Sequence, residues 1–193
     1  MLHHTRPSLA PSDLLSLLLV TLLAPSLLFA APTQSGSPSS ASPALYGPID
    51  LQKVVRLAEL LEAQPFAPQA KDIRSALTTY IIDAPDLTVI LHGDMLGDPE
   101  KLHPDYGPLL VAQMMFGMAS YSINHPRAKP DDLAVQLAGV ESALRLYSTL
   151  KRLRQDASMQ QLESLVALRS INKLSQHVTE RLSRDSKAPG QAK

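Results

Sequence analysis

The densest apolar run of the chain lies at residues 108–123. Between positions 109 and 123, eleven of fifteen residues are apolar; the exceptions are Gln113, Gly117, Ser120 and Ser122. The apolar positions go nearly all the way round a helix instead of marking one face. Such a helix is buried on most sides, so the pattern predicts a central helix on which the others pack. Downstream, Leu133, Leu137, Val140, Leu144 and Tyr147 are spaced 4, 3, 4 and 3 apart. That spacing draws one continuous seam along a helix over 131–154.

The flanking segments carry narrower stripes. Leu51, Val54, Val55, Ala58 and Leu61 recur at helical spacing, with Lys53, Arg56, Glu59 and Glu62 on the other side. Asp50 suits the N-cap of this helix over 51–63, and Pro65 ends it. Ala70, Ile73, Ala76, Leu77, Tyr80 and Ile81 predict a second helix over 68–82, stopped before Pro85. Near the C-terminus, Ser158 and Gln161 have the spacing of a capping box. The apolar series Leu162, Leu165, Val166, Leu168, Ile171, Leu174, Val178 and Leu182 follows, with a drift in phase near Ser170 that suits two helices and a break.

Residues 86–91 are ambiguous. Thr88, Val89 and Ile90 favour a strand, while Leu87, Ile90, Leu91 and Met95 also fit one face of a helix capped by Asp86. No second strand is visible to satisfy the backbone of a first, so the expectation is a short buried helix. The fold class is therefore all-α, about six helices around the central one.

The N-terminus adds an address. Residues 14–31 are apolar with small residues at their end, preceded by a single basic side chain, Arg6. This is the layout of a signal peptide over 1–30, which implies an exported protein, periplasmic or extracellular. The competing expectation is a retained membrane anchor at 14–31, of borderline length for a span. Residues 31–48 are rich in proline and serine and cannot bury enough surface to offset their ordering entropy, so they read as a disordered linker. A helical domain over 49–182 and a polar tail over 183–193 complete the chain.

Charge and composition remove some functions. The net charge is zero, but residues 31–150 carry 8 basic and 13 acidic side chains, whereas 151–193 carry 9 and 4. The acidic stretch 83–105 and the basic segment 151–193 are thus candidates for contact, within the chain, between copies or with a protein partner. No basic patch is interleaved with aromatics, which argues against nucleic acid. Cysteine is absent, which excludes disulfides, thiolate metal sites and a cysteine nucleophile. No Gly-x-Ser-x-Gly elbow or phosphate-cradling glycine loop occurs.

One loop remains for chemistry. His92, Asp94, His103 and Asp105 lie between 92 and 107 among further acids. Histidine and carboxylate are ligands for zinc and similar divalent metals, and a metal-dependent hydrolase is the enzymatic alternative. The spacing fits no established metal signature, and aspartate before glycine or proline is ordinary turn chemistry. No cofactor is otherwise implied. The main expectation is a non-catalytic binding or structural module.

Two glycines point to packing instead. Gly117 and Gly139 sit inside consecutive helices, where each costs about 1 kcal/mol relative to alanine. A shared cause is the close approach of the two backbones. Met114, Met115 and Met118 beside the first glycine read as core. Glu141 and Arg145, four apart, suggest an ion pair along one helix.

Overall fold

The computed structural model describes residues 49–185; the segments read as signal peptide, linker and most of the tail lie outside them. The described residues form six α-helices and no strand: α1 (Leu51–Ala63), α2 (Ala70–Asp83), α3 (Gly107–Asn124), α4 (Leu133–Leu153), α5 (Gln160–Ser170) and α6 (Leu174–Asp185). No helix among the described residues is long and apolar enough to cross a membrane.

The all-round hydrophobicity of α3 has a simple cause: the helix divides the core in two. Phe116 and Ala119 pack with Val54, Leu57, Ala58 and Leu61 of α1 and Ile73, Leu77 and Ile81 of α2. Leu110, Met114 and Met118 pack on the other flank with Val140, Leu144, Tyr147 and Leu150 of α4, Leu162 and Leu165 of α5, and Leu174 and Val178 of α6. Neither flank alone covers a 3.6-residue repeat, and together they cover nearly all of it.

The ends follow local chemistry. The Asp50 carboxylate accepts from the Lys53 N–H at 2.6 Å and caps α1. The buried face of α1 includes Leu57, while Leu51 is exposed, so the stripe is rotated slightly from the one its spacing predicts. α2 starts at Ala70 and not Pro68, with Asp72 in its first turn, where a carboxylate suits the helix dipole. The capping box at Ser158 does not form: the N-cap is Met159, and the Gln161 side chain instead donates to the Asp98 carbonyl at 3.1 Å. α5 and α6 are separated at 171–173. Asn172 takes a left-handed φ of 56°, the Lys173 N–H bonds the Leu168 carbonyl at 2.8 Å, and the Asn172 N–H bonds that of Arg169 at 3.1 Å. This is a Schellman ending with asparagine in the glycine position.

Residues 86–91 depart from the helical expectation. They form neither helix nor strand. The β-branched run Thr88-Val89-Ile90 disfavours a helix, and the segment lies at the surface, where water can serve its backbone. Leu87 is buried and Val89 packs against both halves of the core. The Ile90 carbonyl accepts from Nε2 of the buried Gln136 at 2.9 Å, which ties the segment to α4.

α4 and α5 are joined by a second polar tie. The hydroxyl of the fully buried Tyr147 accepts from the Met159 N–H at 2.9 Å and donates to Glu163 Oε1 at 2.6 Å. Lys151 pairs with the same carboxylate. Tyr147→Phe removes the acceptor of a buried backbone N–H, and the expected loss of stability is about 1–3 kcal/mol. Chemical denaturation checks this; an unchanged midpoint would show that the hydroxyl bonds contribute nothing net.

Candidate functional site

The loop from His92 to Tyr106 is held by apolar anchors and by bonds to the C-terminal helices. Met95, Leu96 and Tyr106 are buried in the α4–α6 half of the core. Gly97 turns the chain with a φ of 97°. A Cβ there would also lie 2.7 Å from the Gln161 side chain, so this turn calls for glycine on both counts.

The four residues singled out for metal binding are placed as follows. Asp94 Oδ2 pairs with Arg181 of α6. The basic C-terminal segment and the acidic loop therefore meet inside one chain. His92 is half-buried two residues earlier. His103 stacks on Tyr106, ring centroids 4.4 Å apart, and its Nδ1 accepts from the Asp105 N–H at 3.2 Å. The His103 N–H in turn donates to the Met159 sulfur at 3.4 Å. Among the described residues no three histidine, aspartate or glutamate side chains stand close enough together to hold a metal ion.

The titratable groups nearby are tuned by structural partners. Asp98 caps the short helical turn that follows it and pairs with Lys101 at 3.0 Å; the Lys101 bond holds its carboxyl below the usual range. Burial, then the hydrogen bond to Asp156 at 3.0 Å, pushes the Tyr106 phenol up. Burial and the neighbouring Arg181 push the His177 imidazole down. The bond from Lys151, then that from Tyr147, lowers Glu163.

A second polar cluster lies where α1, α3 and α4 meet. Glu62, at the end of α1, accepts from Ser142 Oγ at 2.5 Å, from Arg145 Nε at 2.6 Å and from Arg145 Nη2 at 2.9 Å. The buried Gln113 donates from Nε2 to the Ala58 carbonyl at 3.1 Å, to Ser142 Oγ at 3.0 Å and to Glu62 Oε1 at 3.4 Å. The bond to Glu62 raises the Arg145 guanidinium pKa despite its partial burial. Arg145 therefore does not pair with Glu141 along α4; Glu141 Oε2 meets Arg169 Nη1 of α5 at 3.5 Å. Sequence reasoning placed Glu62 on the polar side of α1. Its partner lies 83 residues away, and no local spacing signals the pair.

Gly117 and Gly139 border this cluster. A Cβ on Gly117 would lie 2.4 Å from Ser142 Cβ and 2.9 Å from the Ala138 carbonyl oxygen. A Cβ on Gly139 would lie 2.7 Å from Met118 Cγ and 2.9 Å from the Met114 carbonyl oxygen. α3 and α4 thus approach backbone to side chain at both glycines, and Ser142 reaches the Gln113–Glu62 pair across the gap.

Comparison with protein-family models, with curated proteins and with solved structures finds no match.

Proposed function

We propose that the chain is exported and that residues 49–182 act outside the cytoplasm as a non-catalytic binding or structural module. One observation carries the reading. Several of the groups that chemistry would need are engaged in holding the fold together: Asp94 with Arg181, the His103 ring with the Asp105 N–H and Tyr106, and Glu62 with Ser142 and Arg145. A general base or a metal ligand must turn toward a substrate or an ion, whereas Asp94 and Glu62 turn toward neighbouring helices and His103 toward its own loop. The export half of the reading rests on the layout of residues 1–31.

Two measurements on the protein as the cell releases it test the two halves. Metal analysis after gentle purification is expected to find far less than one zinc, calcium or manganese per chain. A stoichiometric ion lost on replacing His92 or His103 would reverse the reading in favour of a metal-dependent hydrolase. N-terminal sequencing is expected to begin at Ala31 or Pro32. A chain that retains residues 14–31 and sediments with membranes is tethered, not released.

A further inference from the structure

We draw no further inference here: the strongest candidate, the surface patch formed by the exposed Ile90 and Leu91 on the irregular segment 87–92, carries none because nothing in the structure shows what covers it.

Discussion

Gly117→Ala lowers stability by about 1–2 kcal/mol, although alanine is the better helix former by about 1 kcal/mol. The new methyl would lie 2.4 Å from Ser142 Cβ and 2.9 Å from the Ala138 carbonyl oxygen. Neither atom is the free end of a flexible side chain, so α3 and α4 must separate. Separation loosens the packing on both sides and stretches the bond between Gln113 and Ser142. Gly93→Ala is the control, because nothing lies within 4 Å of a Cβ at that position. In thermal unfolding, where each kcal/mol moves the midpoint by about 4 °C for a domain of this size, the first variant should fall well below the second. Equal midpoints would mean that the helices adjust without loss. Leucine at position 117 adds bulk to a site already closed to a methyl, so the large step comes between glycine and alanine.

Glu62→Ala is expected to cost about 2–4 kcal/mol, since it strips an acceptor from Ser142, Gln113 and Arg145 together. The partners should not contribute equally. The Arg145 side chain is 52% exposed, whereas Ser142 is fully buried. The guanidinium can turn to water and its attraction is screened by salt; the serine hydroxyl and the Gln113 amide have no such outlet. Double-mutant cycles should therefore give a larger coupling for Glu62 with Ser142 than for Glu62 with Arg145. High salt should reduce the second and leave the first. A dominant Arg145 coupling that survives high salt would contradict this division. The comparison separates a surface ion pair from an interior hydrogen-bonded junction built on the same carboxylate.

Much of the fold is written in local pattern. Asp50 and Pro65 mark both ends of α1 because a cap and a helix breaker act on their own neighbours. The two-sided burial of α3 shows as hydrophobicity without a polar face, and the break between α5 and α6 shows as a slip in phase at Ser170. What stays hidden depends on distant partners. The segment at 86–91 suits helix and strand equally in isolation, and Gln136, about 46 positions away, supplies the bond that holds it at α4. Ser158 and Gln161 have the right spacing for a capping box, but Gln161 is drawn to the Asp98 carbonyl across the fold. Glu62 and Arg145 look like ordinary solvated charges until α1 is laid on α4. The acidic loop was legible as polar and acidic; its attachment to α6 through Asp94 and Arg181 required the tertiary structure.

The division of the core by α3 bears on how the protein comes apart. Helices α1 and α2 lean on one flank of α3 and α4 leans on the other, with α5 and α6 packed on α4. Neither group can leave without baring a full apolar side of α3, including Phe116 or Met118, to water. Partial opening is therefore confined to the periphery, such as the ends of α6 and the surface run at 87–92. Beyond that, the shared middle helix makes the two halves melt as one cooperative unit, so damage at either flank is felt at the other.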